Sequence, residues 1–399
     1  MYKIDEATDK EKYILLVPSM LDAHFPLLKY AFYSKNYRPV ILENEENITD
    51  TGLHYVNNDM CYPAILNVGQ MVNALKSGKY DLKRTRLLMP TAGDACRGSS
   101  YSWALRRAVE NAGFSEVKVL TLNVKGIEKD AQMKLEPGMV LRALFGLFYG
   151  DILMLLVNQV RPYEREPGAA DACRQRWIER LSEDLKTGKH LTLHHMKKNF
   201  ELIAKDFSEV EKTGEVKQRV GIVGELYIKY CHIGNWNVIK KLEAEGCESH
   251  TNGLSWYVMY YIDSHLSESG LFMKLLYTIA KSFIGHLQKN MIAVMKKYGF
   301  YTLEKFNVLK KEAAGYVSFN SRVGDGWLIG AEAVGHCLHD CPKVIAMQPF
   351  GCMPNQICGR GLYPSINRKL PQGQIVSVDM DSSGSELNVY NRIKMLVDS

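Results

Sequence analysis

The chain lacks most of the marks that place a sequence in a ready-made class. Its first thirteen residues, MYKIDEATDKEKY, are charged and hold no apolar run of the kind a secretory leader uses, so the expected location is cytoplasmic. No compact C-x2-C run of the ferredoxin kind occurs, and no G-x4-G-K-[ST] phosphate loop. Basic residues are dispersed, with no aromatic-interleaved cluster, and the formal net charge is only +6 over 399 residues. Nucleic acid is therefore not an expected partner. The nine cysteines are odd in number and scattered from Cys61 to Cys358, which fits reduced thiols and not a disulfide framework.

What is present is an ordinary globular composition, 46% hydrophobic and 24% charged, in a chain long enough for two domains. The N-terminal third alternates two kinds of segment. YILLVP (Tyr13 to Pro18), PVIL (Pro39 to Leu42), RLLMP and VKVLTLN read as strands. Phe25 to Ser34, AILNVGQMVNALKSG and SYSWALRRAVENAG read as helices, the last two stopped by Gly78 and Gly113. Such alternation predicts a parallel sheet covered by helices. From Gly138 to Thr213 no strand is predicted; an apolar stretch, Met139 to Val160, precedes helices over Asp171 to Thr187 and His190 to Lys212. The apolar stretch is long enough to span a bilayer. Its Arg142 and Asp151 would each cost a few kcal/mol at a membrane centre, so it reads as a buried helix and no membrane is expected.

A second set begins at RVGIVGELY, passes through helices near Asn235 to Glu245 and over Leu271 to Tyr298, and closes with KVIAM, QIVSVDM and a helix from Glu386. The expected fold class is α/β: two Rossmann-like, doubly wound lobes with mainly parallel sheets. They cover residues 1–137 and 216–399, separated by a helical insertion at 138–215, with the site between the lobes.

Sites in open α/β sheets form at the carboxyl ends of strands, where loops lead into helices. Three cysteines are predicted at such turns. Cys61 stands two residues before Pro63, Cys96 follows RLLMP, and Cys352 follows KVIAM between Gly351 and Pro354. Helix N-termini favour negative charge and so favour thiolates. Taken singly, each cysteine also reads as an ordinary small buried residue.

In order along nearly the whole chain, NNDMCYPAILNVGQ, TAGDACRGSSY, GDILMLLVNQVRPYE, VGIVGELY, VGDGWLIGAE, QPFGCMPNQ and VSVDMDSSGSELNVYNRIK resemble the iron–sulfur component of the 2-hydroxyacyl-CoA dehydratase superfamily. The likeness is greatest to the dehydratase-like portion of large CoA-substrate-specific enzyme activases, and double-cubane cluster proteins are relatives. The resemblance implies a 4Fe-4S cluster, single or double-cubane, held between the lobes by three cysteines that match Cys61, Cys96 and Cys352. It implies an actin/Hsp70-like ATPase activator that injects a low-potential electron, pairing of two subunits, and a small-molecule or acyl-CoA substrate. It also implies reductive or radical dehydration at an iron left open by three thiolates. The chain shows no Walker motif and no full actin-type ATP site, so the ATPase is expected on another chain. Two rival readings stand beside this one: a non-catalytic electron-relay module of a larger activase complex, and a cluster-free Rossmann-like protein binding CoA or a nucleotide.

Glu225, after a predicted strand, reads equally as a carboxylate facing the cleft and as a helix N-terminal acid. GDGWLIG (Gly324 to Gly330) follows no clear strand and is not read as a phosphate loop; the resembling family usually has Glu where Asp325 stands. HCLHDCP brings His336, Cys337, His339 and Cys341 together, with Cys358 nearby, as plain cysteines, further cluster ligands or a zinc site. Cys173, Cys231 and Cys247 show no constellation. His194 and His195 read as solvated, and Ser383 or Ser385 as the cap of the last helix.

Overall fold

The computed structural model describes residues 4, 6–90, 96–122, 133, 136–266 and 269–399. Residues 91–95 of the TAGDACRGSSY motif and Asn123 of VKVLTLN lie outside them. The strands form two four-stranded, wholly parallel sheets. β1 (Tyr13–Val17), β2 (Tyr37–Ile41), β3 (Thr85–Pro90) and β4 (Lys118–Leu122) are ordered β2-β1-β3-β4. β5 (Gln218–Gly224), β6 (Cys247–Thr251), β7 (Lys343–Pro349) and β8 (Gln374–Met380) are ordered β6-β5-β7-β8. In each sheet the second strand is laid on one side of the first and the third on the other. The winding therefore reverses between β1 and β3 and between β5 and β7, and a crevice opens beyond their carboxyl ends. The two doubly wound α/β lobes are as the alternating sequence predicts. Continuous apolar runs make such strands: all seven residues of β7 are buried.

The helical layer differs from the expected insertion. The helices Pro137–Val160, Ala169–Thr187 and Leu193–Ser208 share one apolar core with Leu254–Leu266 and with the second half of Leu271–Lys297. Segments following β6 thus complete a bundle begun before β5. The Pro137–Val160 helix is its axis. Among the described residues it is the one helix long and apolar enough to cross a bilayer, and 78% of its most apolar window is buried in protein. Its two charges serve the interior: Arg142 Nε donates to Leu185 O at 2.8 Å, and Asp151 joins three segments. This helix is spent on the interior. An exposed apolar face lies on the first half of Leu271–Lys297, at Leu271, Phe272, Leu275 and Ile279.

Three local expectations also change. Phe25 to Ser34 is a four-residue helix, Phe25–Leu28, followed by a 3-10 turn, Lys29–Phe32. β6 was not anticipated because its sequence, CESHT, is polar, yet all five residues are buried. The helix Gly326–Leu338, wholly buried up to Cys337, was hidden in the glycine-rich GDGWLIG.

Candidate functional site

The crevices of the two lobes face one another and open onto a shared cavity of about 610 Å³. Met20 beyond β1 and Pro90 at the end of β3 line it from the first lobe. Glu225 beyond β5 and Cys352 beyond β7 line it from the second. Cys61, Cys96 and Cys352 all border this cavity, although 291 positions separate the first from the last. Cys352 precedes a short helical turn, Met353–Asn355, and Cys96 precedes the 3-10 turn Arg97–Ser100 that runs into the helix Tyr101–Asn111. Cys61 is the N-cap of the helix Tyr62–Lys76, as Pro63 suggests, but a helix (Ile48–Val56) and not a strand comes before it. Its turn joins two helices packed through Gly52 and Gly69, where a Cβ would stand 2.0 Å from Ile65 O and 1.8 Å from Ile48 O respectively.

Two of the sulfurs receive hydrogen bonds. Asn355 Nδ2, fully buried, donates to Cys352 Sγ at 3.2 Å, and the Tyr101 hydroxyl bonds to the Cys61 sulfur. Burial pushes the Cys61 thiol well up, and negative charge at Glu225, Cys352 and Cys96 adds to the shift. Burial pushes Cys352 up to about 12 against the opposing bonds from Asn355. These thiols are neutral without a metal. A cation that displaces their protons satisfies them, and metal binding is then coupled to proton release.

Two carboxyl groups border the same cavity. Glu225 is the N-cap of the helix Leu226–Tyr230 and accepts from the Ile228 N–H at 2.9 Å. Gly224 before it has φ +130, and a Cβ there would lie 1.8 Å from Met347 O, so the turn is pressed against β7. Asp325 lies between Gly324 (φ +58) and Gly326 (φ +44) at the start of the helix Gly326–Leu338. It is a further candidate that sequence reading did not place at the site. Its signal is an acid between two glycines at a helix start. Burial raises the pKa of both acids, and proximity to Glu225 raises Asp325 further; Lys229 opposes both shifts. Lys229 itself is held by Glu332, 2.9 Å away and buried, with Asn252 Nδ2 donating to the same carboxylate.

The other sulfurs do not join the site. Cys337, Cys341 and Cys358 are buried but do not line the cavity. His339 pairs with Glu312 at 3.0 Å and the Cys337 thiol faces Pro342 O, so HCLHDCP does not gather a zinc site. Cys173, Cys231 and Cys247 are buried and also lie outside the cavity. Ser385 caps the last helix, accepting from Asn388 N. Among the described residues, one set of three donors lies within 4.8 Å of one another: Asp22, Cys231 and His232. Both nitrogens of His232 are taken by carboxylates, Asp22 at 2.7 Å and Glu45 at 2.8 Å, so it acts as an imidazolium bridge. Cys61, Cys96 and Cys352 are not such a set, so their sulfurs do not all lie within 4.8 Å of one another. Three soft donors, two of them hydrogen-bonded, at a mostly apolar cavity fit an iron–sulfur cluster. Against family models and curated proteins the chain has no match.

Proposed function

We propose that the chain is an iron–sulfur protein of the 2-hydroxyacyl-CoA dehydratase type, with Cys61, Cys96 and Cys352 as the ligands of a 4Fe-4S or double-cubane cluster. The observation that supports it is the meeting of these three cysteines at one cavity where both lobes reverse their winding. When bound, a cluster with three protein thiolates supplies a one-electron reductant and an iron open to a substrate oxygen. The chain's own residues hold and tune it. Tyr101 and Asn355 place positive hydrogen-bond ends on two sulfurs, and Met20, Met353, Pro354 and Tyr257 wall the cavity against water. Glu225 and Asp325, both held protonated more readily than free acids, are placed to give a proton to a departing hydroxyl.

Low-potential electrons come, in this reading, from a separate ATP-hydrolysing activator of the actin/Hsp70-like kind, in the cytoplasm, and two subunits pair. The cavity of about 610 Å³ at the sulfurs is the space the cluster would take. The test is anaerobic purification, or reconstitution with iron and sulfide, followed by metal and sulfide analysis. About four irons or eight irons per chain, with broad visible absorbance, is the expected result. A chain that takes up no iron under reducing, anaerobic conditions leaves the cluster-free reading in its place.

A further inference from the structure

A second cavity, of about 330 Å³, lies between the carboxyl end of β6 and the Pro137–Val160 helix. It shares no lining residue with the cysteine cavity. Open parallel sheets take their ligands beyond strand ends of this kind. The volume falls within the range of about 300–1,000 Å³ that small-molecule pockets occupy. Two polar side chains on its lining are buried and have no hydrogen-bond partner among the described residues. They are the Asn158 amide, at Nδ2, and the Thr251 hydroxyl, on residues 4% and 2% exposed. Arg174 adds a third donor: its Nε is buried and unpartnered, while one Nη meets Asp171 at 3.4 Å. The amide and guanidinium nitrogens donate only, and the hydroxyl donates as readily as it accepts. Buried donors left unpaired are costly, so what this lining lacks is an acceptor.

The charges around the cavity show where that acceptor belongs. Arg161 is matched by Glu243 at 2.6 Å and Lys229 by Glu332 at 2.9 Å, and His232 bridges Asp22 and Glu45. Arg174 and Lys240 are left with one carboxylate, Asp171, which Arg161 also meets at 3.3 Å. Lys240 stands one turn before Glu243 on the helix Val238–Ala244, and so on the face that meets Arg161. Positive charge is therefore in excess at this end. Met154 and Val157, both buried, give the cavity an apolar side.

We propose that this cavity binds a small molecule by a carboxylate or phosphate group. The oxyanion accepts from Asn158 Nδ2, Thr251 Oγ1 and Arg174 Nε, and the apolar part of the molecule lies against Met154 and Val157. A charged acceptor forms stronger bonds to the guanidinium than a neutral carbonyl does, and it balances the excess of Arg174 and Lys240. The site goes beyond the functional reading and needs neither the cluster nor the cysteines.

The test is calorimetric titration of the full-length, reduced protein, with ionic strength held constant by chloride. Inorganic phosphate is the probe in one arm and butyrate in the other. At least one of them should bind saturably, at a single site per chain, with a Kd of roughly a millimolar or below. A response to phosphate alone assigns a phosphate ester, and a response to butyrate alone assigns a carboxylic acid. Arg174→Gln and Thr251→Val should each weaken the binding about tenfold. Thr251→Val keeps the shape and removes a hydroxyl that has no partner, so without ligand its thermal unfolding midpoint should stay level or rise. Lost binding in a variant of unimpaired stability is then a property of the site and not of the fold. No binding of either anion at about 10 mM overturns the proposal. So does binding that is undiminished in both variants. Iron analysis reads the cysteine cavity separately, so either conclusion can fail alone.

Discussion

His24 Nε2 and Asp151 Oδ1 lie 2.8 Å apart with both side chains wholly buried. This contact explains an acid within an otherwise apolar helix. Asp151 also accepts from the Leu254 and Ser255 N–H groups, at 2.6 and 3.0 Å, at the start of the helix that lines the cavity with Tyr257. One carboxylate thus joins the segment after β1, the bundle axis and the helix after β6. Close packing surrounds it: a Cβ on Gly150 would lie 2.3 Å from the His24 ring, and one on Gly253 would lie 2.7 Å from the Asp151 carboxylate.

Asp151→Ala should therefore destabilise the fold far beyond a surface change. It leaves His24 and two backbone donors without a partner in the interior, at a cost of about 3–5 kcal/mol. Urea unfolding followed by circular dichroism measures it. A loss under about 1 kcal/mol would show that the interior relaxes around the missing group.

A second contact between the lobes responds to pH. His232, in the second lobe, bridges Asp22 and Glu45 of the first, and its hydrogen bond with Asp22 is the main cause that raises its pKa to about 9. The folded value stands above that of free histidine, so the stabilisation is complete below about pH 6.5. It is lost as pH rises through about 9. The ring is partly exposed, so solvent screening limits the effect to about 1–2 kcal/mol. Unfolding free energy measured from pH 6 to pH 10 should fall over this window, and His232→Gln should flatten the curve.

Asn355 offers a test of cluster tuning without loss of a ligand. Asn355→Leu keeps the volume and removes the Nδ2 donor from Cys352 Sγ. Hydrogen bonds to ligand sulfurs favour the more negative, reduced state. The variant should therefore bind iron yet show a reduction potential lower by on the order of tens of millivolts in an EPR-monitored titration. An unchanged potential would show that this bond does not tune the cluster.

The reading also brings pairing with it. The first half of Leu271–Lys297 exposes Leu271 at 87% and Ile279 at 57%, an apolar face larger than isolated surface residues make. Sedimentation at micromolar concentration should give a dimer, and Leu275→Asp with Ile279→Asp should return a monomer of unchanged secondary structure. A wild-type monomer with its metal content intact contradicts the pairing.

The two lobes were legible because parallel strands buried on both faces read as unbroken apolar runs, as in YILLV and KVIAM. CESHT was not legible, because its burial is settled by distant partners. Glu248 takes the Tyr163 hydroxyl at 2.6 Å and His250 at 2.7 Å, and no local pattern announces either. Cys352 was legible from the strand before it and the glycine and proline on either side. For Cys61 the proline gave the helix start, but a helix, Ile48–Val56, precedes it where a strand was expected. Asp325 was passed over because its role depends on a cavity wall built from a strand end a hundred residues earlier.

The sharpest test of the site compares cysteines that differ in place and not in chemistry. If Cys352 is a thiolate ligand, Cys352→Ser and Cys352→Ala should act alike toward iron, because serine keeps the shape but binds a soft iron–sulfur core poorly. Either change should bleach the broad visible absorbance and lower the iron content while both lobes still fold. Cys61→Ser and Cys96→Ser should do the same, since all three border one cavity. Cys173 and Cys247 are buried yet lie away from it. Cys173→Ala and Cys247→Ala should cost about 1 kcal/mol of stability and leave iron and absorbance unchanged. Anaerobic reconstitution of each variant, with iron, sulfide and spectrum read on the same sample, separates the two groups. Full iron in all three cavity variants would leave the sulfurs as lining of a ligand pocket and remove the electron-transfer reading with them.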